Sequence, residues 1–295
     1  MQSMLESAPA GSHPVSAPPA DWQAQLDQFR ATRQPRARRI AGHDWELIRA
    51  GAGAEALLLL PGGLAVAETA FRSICHFENR YVTLAITYPE TIHRLDELIS
   101  GLLGLLDAEG LATVSVVGGS YSGLVAQALL RAAPERIARI ALSDTGVPRP
   151  ERARRSAWSR PLVARLPVPL LRLLWRLSVA AFLRPMAGNR DFWRRYFNQR
   201  ISAMRRAAWL SHLDIWLEFD RTQRFAPGDL AGWRGRMLLI EAERDGLFGP
   251  AEQRRLRELY PAATVRTFAD SPHCASLARM DDYIAAIDAF LEEQP

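Results

Sequence analysis

The chain has 295 residues, of which 48% are hydrophobic and 23% are charged, and its net charge is +5. This composition indicates one large or two modest globular domains and argues against wholesale disorder. Two cysteines are too few for a disulfide framework or a thiolate-rich zinc site. All 37 basic residues are arginine, which excludes Schiff-base lysine chemistry and the lysine-dependent nucleotide sites of P-loop proteins and kinases.

The N-terminal segment 1–35 is rich in alanine, serine and proline, and we predict that it is mobile apart from one short helix. Asp21 is placed to cap that helix, and Trp22, Leu26 and Phe29 fall on one of its faces. The first residues lack the basic start and the apolar run of a secretory signal. The most apolar long stretch of the chain is too short and too charged to cross a bilayer. We therefore predict a cytoplasmic protein without stable membrane insertion.

Beyond the N-terminal segment the sequence predicts a hairpin and then an alternation of strands and helices. Strands are predicted at 38–41, 45–49, 54–60, 81–87, 113–117, 137–142, 237–241 and 264–268. Helices are predicted at 68–77, 91–106, 124–132, 251–259 and 277–291. Strands and helices alternating at this spacing are typical of parallel βαβ crossovers, so we predict an α/β fold with an open, mostly parallel sheet.

An inserted segment interrupts this alternation between residues 147 and 227, where the sequence is rich in arginine and tryptophan and has a helical pattern. We therefore predict an α/β core made of residues 36–146 and 228–295, with a helical segment inserted into it. Fourteen arginines and two acidic residues lie between 151 and 206. This charge has three open interpretations: a solvated basic surface, a cover that selects an anionic substrate, or an amphipathic surface that meets lipid. No recognisable nucleic-acid-binding module accompanies it, so no nucleic-acid partner is predicted.

A glycine-rich corner joins a predicted strand to a predicted helix, and Ser120 lies at its apex. This strand–serine–helix turn is typical of a nucleophile elbow, in which the serine takes a strained backbone conformation. The residues two positions before and after it pack together and must be small, as Gly118 and Ser122 are. Ser122 is the rival nucleophile, but Leu124 would crowd a turn centred on it. We therefore predict that Ser120 is the nucleophile.

A serine hydroxyl becomes a nucleophile when a base takes its proton and a third group orients that base. In such a sheet the acid and the base follow the serine in that order, at the C-terminal ends of later strands. Asp245 follows one such strand and His273 follows the last one. Asp144, at the end of an earlier strand, is the serious rival acid, and the other rivals are Glu243 and Asp270. Among the other histidines, His212 lies in the insertion and is not expected to take part.

Two backbone N–H groups are candidates to hold a developing oxyanion. The N–H of Tyr121 begins the helix after the elbow, where the helix dipole favours negative charge. Gly63 lies in the turn that closes the strand 54–60 and offers a second N–H. A simple strand–helix turn is an equally good interpretation of the glycines around position 63.

These motifs resemble those of the α/β-hydrolase superfamily in order and spacing. The segments that carry the resemblance are LLLLPGG, VVGGSYSGLVAQALL, ALSDTG, LLIEAERDGLFGP and FADSPHC, within residues 38–146 and 230–295. The resemblance implies an eight-stranded, mostly parallel sheet with helices on both faces and a helical cap between the sixth and seventh strands. It also implies a triad of Ser120, Asp245 and His273, with no metal and no organic cofactor.

Two positions depart from the common pattern of this superfamily. Pro61 stands where many members have a histidine, and Ser122 replaces a more usual glycine. The maspardin-like group, which this layout resembles, similarly has a proline in place of that histidine. We predict a serine hydrolase that cleaves carboxylic esters or thioesters of a small-molecule acyl substrate, with an anionic or carrier-bound substrate as an open variant. Two alternatives also stay open. One is a non-catalytic ligand- or protein-binding protein, and the other is acyl transfer or C–C bond hydrolysis on the same scaffold.

Overall fold

The computed structural model describes residues 21–186 and 188–293, so the predicted mobility of the first twenty residues lies outside the described residues. The strands within these ranges are β1 Arg36–Ile40, β2 His43–Ala50, β3 Glu55–Leu59, β4 Tyr81–Thr87, β5 Val114–Gly119, β6 Ile137–Ser143, β7 Arg236–Arg244 and β8 Thr264–Pro272. The α-helices are α1 Trp22–Thr32, α2 Phe71–Phe77, α3 Leu95–Ala108, α4 Tyr121–Ala132, α5 Pro150–Ser156, α6 Ser159–Arg165, α7 Val168–Leu183, α8 Arg190–Ala203, α9 Arg206–Thr222, α10 Pro250–Leu259, α11 Ala275–Ala278 and α12 Met280–Glu292.

The strands form one 8-stranded sheet in the order β1-β2-β4-β3-β5-β6-β7-β8. β2 pairs antiparallel with β1 and β4, and all other neighbours pair parallel. The predicted mostly parallel, eight-stranded sheet is therefore confirmed. Parallel strands end at a common edge, so the loops after β3, β5, β6, β7 and β8 gather there. Every residue predicted for the site lies in one of those loops or at its border.

The apolar run in β3 explains why helices cover both faces of the sheet. Leu58 lies in a core with α3 and α4, whereas Leu57 and Leu59 lie in a second core with α1, α2 and α12. Successive side chains of a strand point to opposite faces, so an unbroken apolar run is buried only when both faces are covered.

α1 begins where the sequence predicts it. Asp21 caps the helix by accepting hydrogen bonds from two backbone N–H groups of its first turn. The ring of Trp22 meets the edges of the Phe192 and Trp193 rings, with centroids 5.6 and 5.8 Å away. This helix therefore packs on the inserted helices. The predicted domain limits at residues 35, 146 and 227 stay predictions.

Some helix ends depend on contacts that the local sequence does not show. The helix predicted for 91–106 begins only at Leu95, whose N–H donates to the Glu218 carboxylate of α9 at 2.6 Å. A turn of 3₁₀ helix precedes α2, and the predicted C-terminal helix is interrupted at Arg279, between α11 and α12. A capping group that comes from a distant segment decides the first of these boundaries, so a local pattern misplaces it.

Gly101 of α3 faces the buried ring of Trp45, and a Cβ at position 101 would lie 2.2 Å from Cζ2 of that ring. Gly101→Ala is expected to lower the free energy of unfolding by about 1–3 kcal/mol, because a fixed ring must shift to admit a methyl group. Urea denaturation measures this loss. The control is Gly232→Ala, where a Cβ meets nothing within 4 Å. Equal urea midpoints for the two variants would contradict the close contact between Gly101 and the Trp45 ring.

Five helices, α5 to α9, are inserted between β6 and β7, at the place where the sequence pattern breaks. α9 packs against α5 and α6, and α7 packs against α8. Trp193 and Ile201 of α8 are buried in the same core as α1 and α2, so the insertion rests on the sheet domain. In the described part of the chain, no helix combines the length and the apolar character that crossing a membrane requires.

Candidate active site

Ser120 lies in the tight turn between β5 and α4, with a backbone φ of +52°. Residues other than glycine rarely adopt this left-handed backbone conformation, so the surrounding structure must hold Ser120 in place. The Ser120 N–H donates to the Ser143 carbonyl of β6 at 2.8 Å. The hydroxyl of Thr145 donates to the Ser120 carbonyl at the same distance. These bonds fix the elbow that the sequence predicts.

The small residues that flank Ser120 stabilise the elbow in different ways, Gly118 by allowing close packing and Ser122 by hydrogen bonding. A Cβ on Gly118 would lie 2.7 Å from the carbonyl oxygen of Ser122, so the crossing of strand and helix requires glycine there. Ser122 is fully buried, accepts the Gly119 N–H at 2.9 Å and has its hydroxyl 3.1 Å from the Leu60 carbonyl. The Ser122 hydroxyl therefore ties the elbow to the end of β3. Its place in the fold supports the preference for Ser120.

The structure brings the three residues predicted for catalysis into one line of hydrogen bonds. Oγ of Ser120 lies 3.0 Å from Nε2 of His273, and Nδ1 of His273 lies 2.8 Å from Oδ2 of Asp245. The other carboxylate oxygen, Oδ1, accepts the N–H groups of Leu247 and Phe248 at 2.7 and 2.8 Å. Because its own loop holds the carboxylate, Asp245 is fixed in position where it meets the imidazole. These distances allow proton transfer from serine to histidine.

Asp144, the rival acid, lies in the same cavity but holds a different group. Its Oδ2 accepts the N–H of Ala275 at 2.7 Å, and its buried Oδ1 has no hydrogen-bond partner among the described residues. Burial raises the pKa of Asp144 to about 7, although the charge of His273 and the N–H of Ala275 act to lower it. Asp144 therefore anchors the backbone just beyond His273, while Asp245 meets the imidazole ring.

His273 is buried between two aromatic rings, those of Phe182 and Phe248, whose centroids each lie 5.8 Å from its own. Burial alone lowers the pKa of the imidazole, whereas the adjacent Cys274 and the hydrogen-bonded Asp245 carboxylate raise it. The net direction is upward. A carboxylate at Nδ1 stabilises the protonated form of the ring, because an opposite charge nearby favours the charged form.

The two predicted oxyanion donors also lie in the wall of the cavity at Ser120. Tyr121 is the first residue of α4, where helix geometry leaves an N–H without an acceptor inside the helix. Gly63 lies in a turn after β3, closed by a bond of 2.8 Å from the Ala65 N–H to the Gly62 carbonyl. The structure brings both residues to the cavity at Ser120, and their role as donors stays a prediction.

The cavity at Ser120 has a volume of about 390 Å³, within the usual size range of small-molecule sites. Trp175, Val179 and Phe182 of α7 and Phe197 of α8 form one wall. No arginine is found among the described residues that line it, so the basic side chains of the insertion lie elsewhere. Across residues 21–186 and 188–293, no three His, Cys, Asp or Glu side chains come together as a metal ion would need.

His212 of α9 also lines this cavity, which the sequence did not predict. Its ring stacks on that of Tyr121 with centroids 3.7 Å apart, and its buried Nδ1 lacks a partner within the described structure. Burial lowers the pKa of His212 to about 4, so the imidazole is neutral at pH 7. No motif surrounds this residue. Only the packing of α9 over α4 brings it to the cavity at Ser120.

Comparison with known proteins agrees with this fold. A sequence model of a family described as alpha/beta hydrolase fold matches residues 84–279. A hydrolase from Pseudomonas aeruginosa PA01 is similar at a TM-score of 0.74 and 17% identity, over 88% of this chain and 99% of that chain. The enol-lactonase from Burkholderia xenovorans LB400 is similar at 0.72 and 17%, over 88% of this chain and 100% of the other.

A further similar structure is the naproxen esterase from Bacillus subtilis, with a TM-score of 0.63 and 14% identity, over 92% of this chain and 96% of that chain. At such identities the likeness shows a shared fold and nothing finer. No protein of curated function matches the sequence. The resemblance to the maspardin-like group stays a prediction.

Proposed function

The chain belongs to the alpha/beta hydrolase fold family, and we propose that within it the protein is a serine hydrolase that cleaves carboxylic ester or thioester bonds. One observation carries the proposal, namely the hydrogen-bonded line from Ser120 through His273 to Asp245. A serine on a strained elbow, with a base at its hydroxyl and a fixed carboxylate behind that base, has the arrangement that acyl transfer requires. An esterase and an enol-lactonase among the similar structures fit this bond class.

The reaction follows from the roles of these groups. Ser120 attacks the acyl carbonyl while Nε2 of His273 takes its proton, and the Asp245 carboxylate stabilises the resulting imidazolium. The N–H groups of Tyr121 and Gly63 hold the oxyanion. His273 then gives the proton to the leaving alcohol or thiol, and Ser120 remains acylated. Water then attacks this acyl-enzyme while His273 takes one of its protons. His273 passes that proton to the departing Ser120 oxygen, which releases the carboxylic acid and restores the serine hydroxyl.

The lining of the cavity favours a neutral, apolar acyl group over an anionic one. Aromatic and aliphatic side chains of α7 and α8 form the wall, and the carboxyl group of Asp144 lies in the cavity where an anion would need a cation. No arginine lines the described cavity, so a charged acyl group would lose its water there without gaining a permanently charged partner. We therefore favour a neutral acyl substrate over the anionic or carrier-bound one.

Two p-nitrophenyl esters test this proposal, a neutral butyrate and a succinate monoester of similar length that carries a free carboxylate. We expect kcat/KM to be at least about tenfold higher for the butyrate, because desolvation of an unpaired carboxylate costs several kcal/mol. The leaving group is the same in both, so the ratio reports the acyl site. An equal or reversed ratio contradicts the neutral substrate. No turnover of any ester in an acyl-length series by folded protein favours a binding protein.

The dependence of kcat/KM on pH is expected to follow the ionisation of His273. Only its neutral form accepts the serine proton, and its pKa lies above the ordinary value of 6.5. Activity should therefore rise with pH and reach its plateau on the alkaline side of neutrality. The measurement uses a substrate that does not titrate, with tryptophan fluorescence as the control for folding at each pH. An acid limb of the profile centred below pH 6.5 would show that the pKa of the His273 imidazole is not raised.

A further inference from the structure

The outward face of α7 is apolar although it lies at the surface of the protein. Four leucines at the helical spacing i, i+3, i+4 and i+7 form a strip that we call the leucine strip, with exposed fractions of 39% for Leu170, 51% for Leu173, 44% for Leu174 and 58% for Leu177. Surface helices of soluble proteins usually present polar residues on this face.

The opposite face of α7 is also apolar, because it packs inward. Leu171, Val179 and Leu183 are buried, and Trp175 and Phe182 line the cavity at Ser120. A helix with apolar side chains on two opposite faces is expected to have both faces covered, one by the protein core and the other by an apolar partner. The described structure covers one face of α7 and leaves the leucine strip open.

Positive charge surrounds the leucine strip. Residues 152–190 contain nine arginines and no acidic residue. Three of the nine meet carboxylates from outside this range, namely Arg152, Arg154 and Arg160. Arg165 and Arg184, exposed at the ends of α6 and α7, have no carboxylate partner in the described ranges. Arg172 and Arg176, on the flank of α7, donate to neutral oxygens at the end of α8. The surface is therefore both apolar and strongly basic.

This combination distinguishes between partners. Two copies of the chain that met through the leucine strip would bring uncompensated arginines together, and like charges repel across an interface. A bilayer that contains anionic lipid suits both features, because its acyl region accepts leucines and its headgroup phosphates accept arginines. Trp158, directly before α6, is 66% exposed, and tryptophan is a residue type that gathers at membrane interfaces.

We propose that α6 and α7 bind the surface of membranes that contain anionic lipid, with α7 lying flat in the interface and the leucine strip facing the acyl chains. The 16 residues of α7 are too few to span a bilayer. The proposal goes beyond the hydrolase function and does not depend on it. Where both hold, the helix that touches lipid is also the wall of the acyl cavity.

Cosedimentation of the full chain with phosphatidylcholine vesicles, with and without phosphatidylglycerol, tests this inference. We expect binding to the mixed vesicles that weakens as salt is raised, and little binding to phosphatidylcholine alone. Leu173→Ser/Leu177→Ser and, separately, Arg165→Gln/Arg184→Gln should each lower the partition coefficient by about tenfold or more. Turnover of a water-soluble ester and the Tm should stay unchanged, because these side chains are exposed and lie outside the cavity lining.

Matched controls lie outside the insertion. Val265→Ser removes an exposed apolar side chain of β8, and Arg254→Gln/Arg266→Gln removes two exposed charges that have no carboxylate partner in the described structure. Both controls should keep full vesicle binding. The proposal is overturned if wild type fails to bind mixed vesicles or if the controls lose binding equally. It is also overturned if sedimentation velocity shows a dimer that Leu173→Ser/Leu177→Ser dissociates. If the folded wild-type protein binds mixed vesicles but hydrolyses no ester, the hydrolase function is overturned and the membrane proposal stands.

Discussion

Ser120→Ala is expected to reduce kcat for ester hydrolysis by about four orders of magnitude or more, because it removes the hydroxyl that lies 3.0 Å from the base. The variant keeps the cavity and the N–H groups of Tyr121 and Gly63, so we expect it to bind the ester without forming an acyl-enzyme. The substitution keeps the backbone strain and the small side chain of the elbow, so the fold should be retained. Steady-state kinetics with a p-nitrophenyl ester and covalent labelling by a fluorophosphonate probe measure the loss.

Ser122→Ala is the matched control, because it removes the other serine hydroxyl of the same corner. That hydroxyl accepts the Gly119 N–H and lies against the Leu60 carbonyl, so its loss should lower the free energy of unfolding by about 1–2 kcal/mol. Labelling at Ser120 should persist. Equal labelling of wild type and Ser120→Ala would remove the basis for the serine hydrolase. Loss of labelling in Ser122→Ala alone would move the nucleophile to that residue.

Local sequence patterns suffice to recognise the strands and the elbow, because each has a signature within a short stretch of sequence. The run of apolar residues in β3 requires cover on both faces, and the alternation of strands and helices imposes parallel crossovers. The glycine at 118 and the serine at 122 are the small residues that a tight strand–helix crossing needs, and the structure puts them in contact. Ser120 is therefore recognisable as the apex from a short stretch of sequence.

The choice between Asp144 and Asp245 depends on geometry that no local pattern shows. Both residues follow parallel strands of the same sheet, and so both lie at the edge where His273 lies. Asp144 has a left-handed φ of +45° and bonds to Ala275, whereas the loop after β7 turns Asp245 onto the ring. His212 is missed for the same reason, because only tertiary packing brings α9 to the elbow.

The arginines of the insertion belong to more than one of the interpretations that the sequence leaves open. Arg152 pairs with the buried carboxylate of Asp220 at 2.6 Å and Arg160 with Asp214 at 2.8 Å, so part of the charge joins the inserted helices to one another. The arginines around α7 lack such partners. A count of charges along the chain cannot separate the paired arginines from the unpaired ones, because the carboxylates that pair with Arg152 and Arg160 come from α9, far along the sequence.

Asp245→Asn is expected to lower kcat by about 10⁴-fold while the fold persists. The amide oxygen can still accept the N–H groups of Leu247 and Phe248, which keeps the loop in place. The amide nitrogen then replaces Oδ2 and donates to Nδ1 of His273. The ring proton must move to Nε2, where it faces Ser120, so the imidazole can no longer accept the serine proton. Kinetics with a p-nitrophenyl ester measure the loss.

Asp144→Asn separates this orienting role from a merely structural one. Its amide oxygen can still accept the Ala275 N–H, and a neutral side chain suits a buried site that already raises the pKa of the carboxyl to about 7. We expect kcat to fall by less than about tenfold, because the Asp245 carboxylate still fixes the ring. Thermal unfolding is the control that both variants are folded. If folded Asp144→Asn loses activity and folded Asp245→Asn keeps it, Asp144 is the acid that orients His273.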